Sequence, residues 1–369
     1  MMSHIPHDFN QYANRDLASR AAKTAVWLAE GQSSQRDMLQ SLQALKPRYD
    51  LTILASHRHD RPEILTCADI AYREPDGRHL VSERALFVLK HARAHGVQVL
   101  LTGRNSRDYE ARRDAFAAAG IRLLTGATDV ATLQTLDDKF AFAQVCAVHD
   151  IPVAAGWRFS NVAELEALLA QHGHLALCVK PVSGIFAQGF WRLDTGQADY
   201  DSFAHLYDTD ARKIHVGEFV RAYANSARLQ REPLAMLLMP YLTGREYSID
   251  VVCERGTVLA AVTRHKQGAV QHVGYDAEVM ALVKRVIGAF GCDGIVSVQT
   301  RADSNGQQHV LEINSRPSGG IGYTVHSGVD LTQLAMLYFA GLIPRPVLSD
   351  VAAHIVPCAV RPFLTSVQI

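Results

Sequence analysis

The sequence predicts an α/β N-terminal domain, doubly wound, followed by an α+β part of two lobes. Three observations carry this. Strands and helices alternate through the first third of the chain; from Asp129 onward short polar-edged strands follow one another; and near the end a β-hairpin carries polar residues where a core hairpin would carry apolar ones. The expected boundaries are 1–128 for the α/β domain, 129–238 for a smaller lobe and 239–369 for a larger one.

Size and charge agree with that division. A chain of 369 residues exceeds the roughly 100 to 200 of one domain. A hydrophobic share of 48% supplies real cores. Lys plus Arg and Asp plus Glu each total 37, so no net charge draws the protein to nucleic acid or an anionic membrane, and an anionic ligand must be held by local charge. Six cysteines are scattered without a C-x-x-C pair, which favours reduced thiols over a disulfide framework or a zinc site. The opening Met1–Asp8 lacks the basic and apolar regions of a signal peptide, and no stretch reaches about 18 apolar residues. A cytoplasmic enzyme is the expectation.

In the first third, Lys23 to Ala29 reads as a buried strand and Ser34 to Leu45 as a helix, with Met38, Leu39, Leu42 and Leu45 at helical spacing. Strands follow at Asp50 to Ser56, Ala68 to Tyr72, Val97 to Leu101 and Ile121 to Leu124, with helices over Glu83 to His95 and Tyr109 to Ala119. Helices of this length between strands imply right-handed crossovers and a mainly parallel sheet. No G-x-G-x-x-G follows the first strand. Gly31-Gln32-Ser33-Ser34 opens the first helix, which fits either an anion at a helix N-terminus or a plain N-cap by Ser33 or Ser34. Arg104 to Asp108 stands where ligands bind in open α/β sheets, and equally fits a solvated loop.

Beyond Asp129 the sequence predicts helices over Asp137 to His149 and Ala163 to Gln171, the latter capped at Ser160-Asn161, then strands at Leu175 to Val179 and Gly189 to Leu193. Arg212 to Arg231 resists assignment. Strands at Leu234 to Tyr241, Glu246 to Cys253 and Thr257 to Thr263 lead to a helix over Ala277 to Phe290, the hairpin, and a helix over Leu331 to Tyr338.

The hairpin is the most informative stretch. Ile295 to Thr300 turns at Ser304-Asn305-Gly306 into Val310-Leu311-Glu312-Ile313-Asn314-Ser315-Arg316-Pro317. Strand side chains alternate with a period of two, so Glu312 and Asn314 share a face, which Gln299 can reach from the partner strand. Two amides and a carboxylate on rigid strands suit hard Mg²⁺ with phosphates as its other ligands. A solvated polar face is the plainer reading.

Lys180 ends the apolar run Leu175 to Val179 and precedes Pro181, which places a cation at the end of a buried strand, followed by a small-residue loop to Gly189. Such loops can lay N–H groups over phosphates. Lys139, just after Asp137-Asp138, reads alone as a surface ion pair. Leu237 to Asp250 stops at Pro240 and restarts after Thr243-Gly244, fitting a hinge whose free backbone groups pair with a base edge, or an ordinary turn.

In this order the pieces resemble the ATP-grasp superfamily from about Thr135 to Pro344, with the α/β lobe that commonly precedes that fold. The E-x-N-x-R spacing of Glu312, Asn314 and Arg316 is the most specific match. The resemblance implies that Lys139 and Lys180 contact nucleotide phosphates under a lid loop from Ser183 and Gly184 to Gly189. It implies adenine against Met239, Pro240, Tyr241 and Leu242, with ribose held by Glu246. It implies metal at Gln299, Glu312 and Asn314, and Arg316 as the transition-state arginine, with Lys180 and Asn314 also in the catalytic set. Two departures stand out: Gln299 where many members carry an acid, as in the carbamoyl-phosphate-synthetase-like branch, and Met239-Pro240 where a hinge glutamate is frequent.

The implied chemistry is a carboxylate–amine or carboxylate–thiol ligase that forms an acylphosphate from ATP and releases ADP and phosphate. ATP and one or two Mg²⁺ ions, or Mn²⁺ in their place, are the cofactors. Small-molecule carboxylate and nucleophile substrates are the partners, with no nucleic acid, no membrane and a homodimer as the prior assembly. Arg264, His265, Ser318, Gly319 and Gly320 are the candidate substrate contacts; His265 fits a general base or a structural histidine. A carbamoyl-phosphate-like or carboxylase activity, a small-molecule kinase and a non-catalytic MgATP-binding regulator are the alternatives. Neither the substrate nor the role of 201–231 is legible.

Overall fold

A computed structural model describes residues 23–31, 34–76, 81–184, 188–196, 207, 212–229, 234–363 and 366. The chain forms two compact units. One comprises 1–134, 246–299 and 313–369, and the other 135–245 and 300–312.

The first unit begins with β1 (Thr24–Leu28), α1 (Ser34–Gln43), β2 (Leu51–His57), α2 (Pro62–Leu65), β3 (Ile70–Arg73), α3 (Val81–Ala94), β4 (Val97–Leu101), α4 (Ser106–Glu110), α5 (Arg113–Ala118) and β5 (Arg122–Leu124). The sheet is parallel, in the order β3-β2-β1-β4-β5. This is the doubly wound arrangement expected. All five residues of β1 are buried because both faces of the sheet are covered. The helix expected over Tyr109 to Ala119 is two short ones, broken at Ala111 and Arg112, where Arg113 turns to ion-pair with Glu110 and donate to Ala127 O at 3.0 Å.

The chain continues through α6 (Val130–Asp137) and α7 (Lys139–Val148). Of these, α7 is the helix expected over Asp137 to His149, and α6 is an additional helix ahead of it. Asp138 takes an extended conformation, and its carboxylate accepts from Phe140 N and Ala141 N at 2.9 Å, starting a new helix at Lys139. Next come β6 (Trp157–Phe159), α8 (Val162–His172), β7 (Leu177–Pro181), β8 (Trp191–Asp194), β9 (Lys213–His215), α9 (Val216–Leu229) and β10 (Met236–Pro240). Asn161 caps α8. The second unit's sheet has the order β6-β10-β7-β8-β9 and is antiparallel except between β8 and β9. The unassigned stretch after Arg212 therefore supplies β9 and α9, and much of 201–231 lies outside the described residues.

Beyond the hinge run β11 (Glu246–Glu254), β12 (Thr257–Gln267), β13 (Val270–Gly274), α10 (Ala277–Ala289), β14 (Gly294–Ala302), β15 (Gln308–Asn314), a 3₁₀ helix (Ile321–Ser327), α11 (Leu331–Phe339), α12 (Leu348–Ala353) and β16 (Cys358–Val360). The sheet order is β15-β14-β11-β12-β13-β16. In the first unit one core joins Val26, Leu28, Met38 and Leu39 to Val252, Leu259, Ile295 and Leu331, so the parallel sheet and the larger sheet share an interior. The cysteines are all free. Among the described residues no helix is long and apolar enough to cross a membrane.

Candidate active site

In the second unit, residues distant in sequence meet around Lys139. Its backbone N–H donates to Val182 O at 3.0 Å and its ammonium donates to Gly184 O at 3.0 Å, which ties the start of α7 to the loop after β7. The ammonium also lies 3.6 Å from Glu312 Oε2, with side chains 12% and 25% exposed, so this is no free surface pair. Lys180 occupies β7, in register with Leu237. Burial pushes its pKa below the usual lysine value; Glu312 pulls it back up, and Lys139 pushes it further down. Two ammonium groups within electrostatic reach of one carboxylate make a site with a surplus of positive charge, suited to polyphosphate. Cys178, two residues before Lys180, is no nucleophile: burial pushes its thiol up to about 11.

Glu312 and Asn314 alternate with the buried Ile313 along β15, and both are partly exposed, as the pleat demands. Gln299 is the partly exposed residue between the buried Val298 and Thr300 of β14. Among the described residues no cluster of three or more His, Cys, Asp or Glu side chains exists to cage a metal. One carboxylate and two amides are hard oxygen donors, and they fit Mg²⁺ only with phosphate oxygens completing its shell. Arg316 lines a small cleft of about 20 Å³ in the first unit, together with Gly31, Ser34, Thr102 and Gly103 at the carboxyl ends of β1 and β4. The Gly31 N–H in that cleft already donates to Gln35 Oε1 at 3.1 Å. Arg104 is turned toward the buried Glu30, 3.8 Å away.

The stretch at Pro240 and Tyr241 is less open than the sequence suggested. Pro240 still pairs with Leu177, and Tyr241 N donates to Ala176 O at 2.8 Å, so that N–H is not left for a base edge. The apolar surface there is built from Ala154, Cys178, Val182, Leu237 and Met239, with Phe140, Phe190 and Leu242 against it, a floor suited to a flat ring. Two arginines that sequence reasoning missed bracket Tyr241. Arg192 lies 4.3 Å and Arg301 5.1 Å from its ring centroid, and Arg301 also donates to Gly244 O and Tyr241 Oη at 3.3 Å. Each sits on a different strand with no motif around it, so only the fold could reveal them. Ser183 and Gly184 are exposed, and Gly189 has φ +73 and no room for a Cβ, which would meet Pro181 Cγ at 2.7 Å. Glu246 is exposed at the start of β11.

The candidate substrate contacts divide. In the first unit Arg264 is only 4% exposed; its Nε donates to the fully buried Asp250 at 2.8 Å and its Nη2 to Ser318 Oγ at 2.8 Å. Gly320 is close by, because a Cβ there would meet Nη1 at 2.4 Å. His265 lies apart from this group. It pairs with His272 across the strands, with rings stacked at 4.8 Å, and meets Tyr247 edge-on at 5.4 Å.

The fold is that of ATP-grasp proteins. Residues 232–362 match the family described as ATP-grasp in the biosynthetic pathway with Ter operon. Solved structures with the same fold include the L-amino acid ligase from Bacillus licheniformis, at 16% identity over 90% of this chain and 77% of that one, TM-score 0.59. N5-carboxyaminoimidazole synthetase from Staphylococcus aureus, complexed with ADP, is 13% identical over 88% and 79%, TM-score 0.65. The biotin carboxylase domain of Hydrogenobacter thermophilus 2-oxoglutarate carboxylase, complexed with MgADP and bicarbonate, is 16% identical over 89% and 72%, TM-score 0.64.

Proposed function

We propose that the protein joins a small-molecule carboxylate to an amine or thiol at the expense of ATP, through an acylphosphate, releasing ADP and phosphate. The observation that carries this reading is the meeting of Lys139, Lys180 and Glu312 around the loop at Gly184, with Asn314 and Arg316 following in the E-x-N-x-R run. Lys139 and Lys180 bind the phosphates and hold them in line, which is most of what phosphoryl transfer asks of a protein. The apolar floor near Met239 and Leu242 takes the adenine, and Glu246 takes the ribose. Glu312, Asn314 and Gln299 are the residues that would hold Mg²⁺, which supplies charge neutralisation at the phosphates when bound. Arg316 presents paired donors to the carboxylate or the phosphoryl group.

The amino acid ligase among the structural neighbours favours a carboxylate with an amine acceptor. The neighbour complexed with bicarbonate, together with Gln299, favours a carboxylase as the second reading. The deciding experiment is nucleotide product analysis with MgATP and pools of carboxylates and amines, with bicarbonate as a separate pool. ADP release that needs a carboxylate and an amine together supports the ligase. ADP release with bicarbonate alone moves the assignment to the carboxylase, a phosphorylated product formed without amine indicates a kinase, and MgATP binding without turnover in any pool counts against all three. We expect a cytoplasmic homodimer.

A further inference from the structure

Ser318 has an unusual hydrogen-bonding position. Its Oγ accepts from Arg264 Nη2 at 2.8 Å and from Gly320 N at 3.1 Å. A hydroxyl has two lone pairs and one hydrogen. With both lone pairs taken by N–H donors, the hydrogen has one role left, to donate, and among the described residues no oxygen accepts it. Ser318 is only half-buried, so the hydroxyl hydrogen has access to a ligand.

The apparatus behind Ser318 is rigid and costly. Asp250 is fully buried on β11 and holds Arg264 Nε at 2.8 Å, while its other oxygen, Oδ1, is buried without a partner. Position 250 pairs with Val262 and Arg264 pairs with Ser248, so Asp250 and Arg264 are diagonal neighbours on one face of the β11–β12 ladder. A buried carboxylate with an orphan oxygen lowers stability; what it supplies here is orientation. The guanidinium lies flat against Gly320, where φ is an ordinary −110° and glycine is needed only for space. Asp250 thus fixes the Arg264 donor that fills one Ser318 lone pair, and the close-packed Gly320 supplies the other.

We infer that Ser318 is a one-way hydrogen-bond donor to an oxyanion of the substrate, a carboxylate or the phosphoryl oxygen of its activated form, and that Asp250 and Arg264 are positioning residues that force this polarity on it. The inference rests on the ligase reading for the identity of the anion. It revises the expectation for Arg264, which acts through Ser318 rather than by direct contact.

The test is calorimetric titration of acetate and, separately, inorganic phosphate into the wild type, Ser318→Ala, Ser318→Thr and Asp250→Asn, each with and without MgADP. Ser318→Ala is expected to weaken a probe about 10-fold or more, the usual effect of losing a hydrogen bond to a charged group. Ser318→Thr, which keeps the hydroxyl, should restore binding, Asp250→Asn should weaken it, and MgADP affinity should be the same in all four. Loss confined to acetate identifies a carboxylate; loss confined to phosphate identifies a phosphoryl oxygen. Equal probe affinity in wild type and Ser318→Ala, or no wild-type binding of either probe, overturns the inference. Failure of MgADP to bind the wild type strikes the ligase reading instead, and the titrations without nucleotide still decide the role of Ser318.

Discussion

Lys139 Nζ and Glu312 Oε2 stand 3.6 Å apart although one comes from the first residue of a helix and the other from a distant strand, two residues before its end. The pair is held by backbone as well as charge, because Lys139 also bonds Val182 O and Gly184 O. Glu312→Gln keeps the shape and removes the charge. Turnover should fall on the order of 10² or more, and Arg316→Ala should cost as much, as losing a preorganised transition-state partner does. Steady-state kcat with the substrates found in the pooled assay checks both, and wild-type turnover in either variant would sink the assigned roles.

The lowered pKa of Lys180 fixes a direction for the pH profile. In the proposed function its ammonium holds phosphate, and burial makes that ammonium easier to deprotonate than an ordinary lysine. The alkaline limb of kcat/KM for ATP should therefore fall at a pH below the usual lysine range. Glu312→Gln removes the pull that raises the value, so the limb should move lower still. A limb that stays put in the variant would show that another group controls it.

Gly126 bears on the geometry of the hairpin exit. It has φ +96, and a Cβ there would meet Ser315 O at 2.4 Å and Ser315 Cα at 2.6 Å. Ser315 lies between Asn314 and Arg316. Gly126→Ala should cost about 1–3 kcal/mol of stability through strain alone, with a fall in activity larger than the loss of folded protein explains. Denaturant titration alongside kcat separates the two.

Glu74 tests the N-terminal domain. Burial raises its carboxyl pKa above the ordinary glutamate value, against the hydrogen bond from Ser56, and Glu30 adds to the rise. A raised folded-state pKa means that the folded protein holds the proton longer, so stability is greatest below the unfolded value and falls as pH rises through the folded one. Glu74→Gln, which is always neutral, should be more stable than wild type at neutral pH and lose that advantage as pH drops toward 4. Thermal melts across that range check the sign; a constant difference would point to lost packing instead.

Much of this architecture is legible along the chain. The strand Val97–Leu101 coincides with its expected span, and the hairpin at β14 and β15 and the helix from Ala277 lie where periodicity places them, because each is a local pattern of buried and exposed residues. The helix break at Ala111 is not legible that way. Periodicity runs straight through it, and it is set by side chains reaching other elements. Strands β6, β9 and β13 are too short, or too mixed in exposure, to announce themselves.

The sequence by itself determined the alternation of strands and helices in the first third, the alternation that places Glu312 and Asn314 on one face of a strand, and the cation at the end of β7. All of these follow from the strict period of a strand and from runs of adjacent residues. Only the tertiary structure decided that Lys139 and Lys180 share Glu312, that Tyr241 is bracketed by Arg192 and Arg301, and that Arg264 is committed to Asp250 and Ser318. Those relations join strands and helices far apart in the chain. Their energies depend on burial and on distances of a few ångströms, which no local pattern of residues encodes.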